Sequence, residues 1–215
     1  MGDSYLGYIK IFLRPVVVGG SWRRAFTSTV IKQNTQLFTE YLAPFNYAIG
    51  VKGGSNFVYH TTSLEIDKYI TRSSTDMQHN PQSRCLISMD IQNMFNEISR
   101  ERALDIINTH FPQLAQIANT LLAEPTTCHY MEPNGEWSHF QQEEGLPQGC
   151  PFSPVLAALV LNIIIKDLDK QLRARAAQRK QNKNLLDDNE GGITNLLAFV
   201  DDLNAVVPIE DSLFY

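Results

Sequence analysis

The chain has 215 residues, of which 43% are hydrophobic and 19% charged, with a formal net charge of −5. That length supports one large domain or two small ones, and the apolar fraction with so small a net charge excludes disorder as the dominant state. No apolar run approaches the ~18 residues that cross a bilayer; the longest, Val155 to Ile165, is interrupted by Asn162.

In chain order, the first fifty residues read as short strands and turns. Phe12 and Val16 to Val18 are β-prone, Gly19-Gly20 punctuates, and Ser21 is placed to cap a helix through Arg23 and Arg24 to Ile31. Gly53-Gly54 marks a turn before a helix expected over Ser63 to Ile70, and the polar residues 71 to 84 read as a surface loop. Cys85 to Met89 is an apolar strand ending on an acid, Asp90. A helix follows, with Ser99 as cap and Leu104, Ile107 and Phe111 on one face. Residues 127 to 142 alternate around Asn134-Gly135, a strong hairpin signal. Ser153-Pro154 opens a helix, apolar nearly all round over 155 to 165, which predicts burial on most sides. Leu196 to Val200 and Leu203 to Val207 are two β-prone runs separated by Asp201-Asp202, so the pair is expected at a hairpin tip. Without repeats or a low-complexity linker, one compact unit is expected.

The opening Met1 to Leu6 lacks the Ser or Thr of a myristoylation signal and no basic-then-apolar leader follows, so a soluble globular chain with no membrane partner is expected. Cys85, Cys128 and Cys150 form no close-spaced pair, which indicates neither a disulfide framework nor a zinc knuckle and suits a reducing compartment. The acidic balance argues against a nucleic-acid partner, but its distribution softens this. Lys166, Lys170, Arg173, Arg175, Arg179, Lys180 and Lys183 fall in one stretch, and Arg14, Arg23 and Arg24 cluster near the start. Local charge governs phosphate binding more than the total does; solvated helix faces are the alternative.

Adjacent carboxylates between apolar strands are costly: two unit charges about 5 Å apart at a dielectric near 20 repel by roughly 3 kcal/mol. Asp187-Asp188 lies in a polar sequence where water relieves that repulsion; Asp201-Asp202 does not. If the strand ending at Asp90 neighbours this hairpin, three carboxylates converge. Such hard oxygen ligands suit Mg²⁺ or Mn²⁺ and a two-metal displacement at phosphorus; a structural carboxylate capping the next helix is the alternative. Gly145-Leu-Pro-Gln-Gly-Cys-Pro-Phe-Ser-Pro154 adds a rigid loop in which Gly149 permits close approach of a ligand to the backbone and Gln148 offers an amide.

The order Asp90-Ile-Gln-Asn-Met-Phe95, then Gly145 to Pro154, then Phe199-Val-Asp-Asp202 resembles motifs A, B and C of reverse transcriptases. Arg14-Pro15-Val16 with Trp22-Arg23-Arg24, and Val51-Lys-Gly-Gly54, resemble the fingers blocks of non-LTR retrotransposon enzymes, so the resemblance spans roughly residues 10 to 207. It implies an α+β fold: a right-hand polymerase palm, an antiparallel sheet backed by helices, with partial fingers (1–84), a palm portion (85–215) and the thumb missing. It implies RNA-directed DNA polymerisation, in which a DNA primer on an RNA template is extended with dNTPs. Asp90, Asp201 and Asp202, with the Ile91 carbonyl, would hold two Mg²⁺ or Mn²⁺ ions. Phe95 would be the steric gate against ribose, Gln148 and Gly149 would face the nucleotide, and Arg14 its triphosphate. Lys10 is a further candidate cation, and Arg23 and Arg24 are candidates for the template backbone. Met94 and Asn96 depart from the family pattern, which expects alanine and an acid there. A truncated or degenerate element that at most binds RNA is the second reading.

Overall fold

The computed structural model describes residues 19–73, 84–183 and 195–209. Expectations at Lys10, Phe12, Arg14, Val16 to Val18, most of the loop over 71 to 84, and Asp187-Asp188 lie outside the described residues.

The described chain opens on a long helix, in the place where a shorter one was expected. Helix α1 spans Ser21–Leu42 and runs well past Ile31; its N-cap is Gly20, without a side-chain cap bond, so Ser21 does not cap it. Its threonine hydroxyls bond backward along the helix. Thr27 Oγ1 donates to the Arg23 carbonyl, Thr35 to Ile31 and Thr39 to Thr35, at 2.8, 2.8 and 2.9 Å. Thr27, Val30, Phe38 and Leu42 share the buried face.

Helix α2, Gly54–Ser73, starts well before the expected Ser63. Its first residue must be glycine, because a Cβ there would stand 1.9 Å from the Tyr47 carbonyl oxygen. Strand β1, Arg84–Met89, ends at Asp90 as expected. A single turn, α3 (Met94–Glu97), precedes α4 (Arg100–His110), whose cap is Ser99: its side chain accepts the Arg102 N–H. Helix α5 is Ala115–Leu122.

Strands β2 (Thr126–Met131) and β3 (Trp137–Gln142) form the hairpin around Asn134-Gly135. The Glu132 N–H extends the pairing to the Glu136 carbonyl, leaving a three-residue loop with Gly135 at φ +84°. Helix α6, Ser153–Lys183, is buried on nearly all sides over Val155 to Leu159 and continues far beyond Ile165. Ser153 is its first residue. The hydroxyl of Ser153 donates to the Pro147 carbonyl at 2.7 Å.

Strands β4 (Asn195–Phe199) and β5 (Asp202–Pro208) complete an antiparallel sheet of order β1-β5-β4. One face of it, with Leu196, Ala198, Leu203, Ala205 and Val207, joins a core shared with α1, α4 and α6. Phe38 sits centrally, its ring 5.2 Å from that of Phe111 and 6.4 Å from that of Phe152. The core is thus continuous across residue 84. Phe38→Ala is expected to cost about 3–5 kcal/mol, measured by urea unfolding. Among the described residues no helix is long and apolar enough to cross a membrane.

Candidate active site

Strand register brings Asp90 alongside the acid pair of the hairpin. Pairing of β1 with β5 runs from Arg84↔Pro208 to Met89↔Leu203, so one step further Asp90 falls level with Asp202. Directly opposed residues lie on one face of a sheet, and Asp201 stands next door in the β4–β5 turn. Burial pushes the Asp202 carboxyl above its ordinary value, and repulsion by Asp201 and then Asp90 raises it further. The three groups therefore share one electrostatic field.

The turn is tight and strained. Phe199 pairs with Asp202, leaving Val200 and Asp201 as a two-residue loop. Val200 has φ +55°, a left-handed conformation that costs a residue other than glycine on the order of 1–3 kcal/mol. Asn93, just beyond Asp90, is left-handed too, at φ +54°; asparagine tolerates this, a β-branched valine does not. The Asn93 Oδ1 atom is buried with no hydrogen-bond partner among the described residues. The two positive-φ residues other than glycine among the described residues, Asn93 and Val200, thus lie close in sequence to the acids.

The segment after Asp90 is tied directly to the glycine- and proline-rich loop. The Leu146 N–H donates to the Phe95 carbonyl and the Gly145 N–H to that of Ile98. Gly145, at φ +75°, has no room for a side chain: a Cβ would stand 2.5 Å from the Asn96 carbonyl oxygen. Phe95 is half-buried and packs against the core. Met94 is buried, and Asn96 lines a cleft of about 260 Å³ with Phe140, Gln142, Glu144, Leu146, Pro147 and Gln148. The two departures from the family pattern therefore face the core and the cleft respectively. Gln148 and Gly149 are half-buried.

Sequence reasoning missed the group that clamps this loop. Arg100, only 4% exposed, donates from Nε to the Gly145 carbonyl at 2.8 Å, from Nη1 to the Glu124 carbonyl at 3.0 Å and from Nη2 to Thr126 Oγ1 at 3.2 Å. Burial lowers the guanidinium's proton affinity, with the Glu144 carboxylate opposing and Arg23 adding to that effect. The sequence signal was faint, an arginine in the first turn of a helix where its charge opposes the dipole. Arg100→Met is expected to destabilise the chain by roughly 2–4 kcal/mol through orphaned carbonyls, seen as a lower midpoint in thermal unfolding.

Other candidates are placed less suggestively. The Ile91 carbonyl accepts the Met94 N–H at 3.3 Å, which leaves it a second lone pair. Arg23 donates from Nη2 to the Leu121 carbonyl at 3.3 Å, tying α1 to α5, while Arg24 is exposed. Among the described residues no three carboxylate, imidazole or thiol groups form a ready-made metal cage. The side chains of Asp90, Asp201 and Asp202 are nevertheless hard oxygen donors, the type that suits a divalent cation, and the Asp202 carboxyl is raised by burial first and then by Asp201 and Asp90. All three cysteines are free.

A model of the reverse transcriptase (RNA-dependent DNA polymerase) family matches residues 19–213. No curated protein is significantly similar in sequence. Among solved structures, the chain resembles apo telomerase from Candida tropicalis truncated from the C-terminal domain (15% identity, TM-score 0.57, 87% of this chain and 35% of that one). It also resembles apo telomerase from the same organism (12%, 0.56, 88% and 32%) and that telomerase with the TWJ fragment of telomeric RNA (13%, 0.53, 87% and 29%). The chain spans about a third of the length of these structures, and the likeness bears on fold: mixed helix and antiparallel sheet of the right-hand polymerase kind. With the matched motifs carried by that sheet and loop, the chain belongs to the reverse transcriptase family.

Proposed function

We propose that this chain is the fingers and palm portion of a retroelement RNA-directed DNA polymerase of the non-LTR type, extending a DNA primer on an RNA template with dNTPs. The observation that carries the reading is the β1–β5 register, which sets Asp90 level with Asp202 and beside Asp201. In this reading residues 1–84 contribute the fingers and 85–215 the palm.

Asp90, Asp201 and Asp202, with the Ile91 carbonyl, would hold two Mg²⁺ or Mn²⁺ ions. Such ions, when bound, stabilise the attacking 3′-oxygen and the leaving pyrophosphate. The chain's own work is positioning and exclusion. The Phe95 ring fills the space a ribose 2′-hydroxyl needs, its backbone held by Leu146. Gln148 and Gly149 face the incoming nucleotide from a loop that Arg100 fixes. Arg14 is assigned to the triphosphate, since a guanidinium matches phosphate oxygens two at a time. Lys10 and Arg24 are assigned to the nucleic-acid backbone, with Arg23 retained for that role only if it leaves Leu121.

Primer extension on poly(rA)/oligo(dT) with Mg²⁺ or Mn²⁺, on the longest reading frame that contains this chain, tests the proposal. Metal-dependent incorporation of dTTP supports it. Retention of RNA with no incorporation under either metal would leave the non-catalytic, RNA-binding reading.

A further inference from the structure

We infer that Asn46 is a positioning residue for the hairpin that carries Asp201 and Asp202: its side-chain amide holds Val200 in the left-handed conformation that sets both acids. The inference rests on the catalytic reading above for its kinetic consequence, though not for its geometry.

Asn46 lies in the segment after α1, far in sequence from the hairpin, and is only 2% exposed. The segment meets β4 at a single isolated bridge, Asn46 to Ala198. The Ala198 N–H donates to the Phe45 carbonyl at 2.7 Å, and the Tyr47 N–H to the Ala198 carbonyl at 3.0 Å, a parallel bridge. These backbone bonds already dock the segment on the sheet.

The Asn46 side chain does something they do not. Its Nδ2 donates to the Val200 carbonyl at 3.3 Å, reaching past the end of β4 into the turn itself. Its Oδ1 accepts the Ala48 N–H at 3.1 Å, which fixes which end of the amide points at the turn. Val200 is a β-branched residue at φ +55°, a conformation it abandons unless neighbouring structure over-determines it. The carbonyl that Asn46 grips belongs to that residue. A relaxed Val200 would reorient the peptide plane into Asp201 and swing its carboxylate away from Asp90 and Asp202.

The test is a double-mutant cycle in the full chain. Asn46→Ser keeps an oxygen for the Ala48 N–H but is too short to reach Val200; Asn46→Asp keeps the shape and removes the donor. Val200→Gly removes the strain, because glycine adopts positive φ freely. Either Asn46 variant is expected to lower kcat of primer extension about tenfold with the KM for dTTP changed less than twofold. In the Val200→Gly background the same change is expected to cost less than twofold.

A second readout is independent of turnover: the three-bond HN–Hα coupling of Val200, which reports its φ. It should shift in Asn46→Ser and Asn46→Asp. An unchanged coupling, or an equal kinetic penalty in both backgrounds, overturns the inference and reduces Asn46 to a structural residue. A shifted coupling, with no primer extension by the longest reading frame that contains this chain, would sustain the brace while refuting the polymerase reading. Should one variant fail to fold, the coupling in the other decides.

Discussion

Asp201→Asn is expected to reduce metal-dependent primer extension by at least ~10²–10³-fold, the scale on which removal of one preorganised electrostatic group acts. The substitution keeps the shape of the side chain and removes one of the three charges that the proposed function assigns to metal binding. Folding should not suffer, since losing one of three mutually repelling carboxylates relieves the field that raises Asp202. Loss of extension with an unchanged or slightly higher unfolding midpoint is therefore the expected pair of results. Asp188→Asn supplies the control, an acid of the same type in a polar sequence, and should extend primers within twofold of the parent. Full activity in Asp201→Asn would remove the catalytic assignment.

Phe95→Val should relax sugar selection. A hydroxyl forced against a close-packed ring costs about 1–3 kcal/mol, and at 1.4 kcal/mol per tenfold this predicts ~5–140-fold more ribonucleotide incorporation relative to deoxynucleotide. The position is well held for such a role. Phe95 sits in the turn α3, its carbonyl is bound by Leu146, and its neighbour Met94 is anchored in the core. The measurement is competitive incorporation of rUTP against dTTP, with the unfolding midpoint followed because Phe95 also packs on the core. Unchanged discrimination in an active, folded variant would refute the gate.

Both predictions depend on geometry that was only partly legible in the sequence. The strand ending at Asp90 and the paired runs around Asp201-Asp202 were readable, because burial of one sheet face imposes alternation and a turn must interrupt it. The buried start of α6 and the Ser99 cap were readable for the same reason: each is a pattern within a few residues. The extents of α1 and α2 were not. Past Ile31 the helix α1 runs through Lys32-Gln33-Asn34-Thr35, which carries no apolar periodicity, and packing of Phe38 and Leu42 on the shared core extends it.

The sequence alone thus determined the class of fold, the acids and the loop that go with them, and a family resemblance that the matched family model bears out. Which strand lies beside which, and hence that Asp90 stands level with Asp202, was decided by the tertiary structure. So were the roles of Arg100 and Asn46, whose partners lie far away along the chain. The reason is physical: periodicity and turn chemistry act over a few residues and leave a local trace. A buried amide or guanidinium is defined by the carbonyls it meets, and those come together only when the core closes.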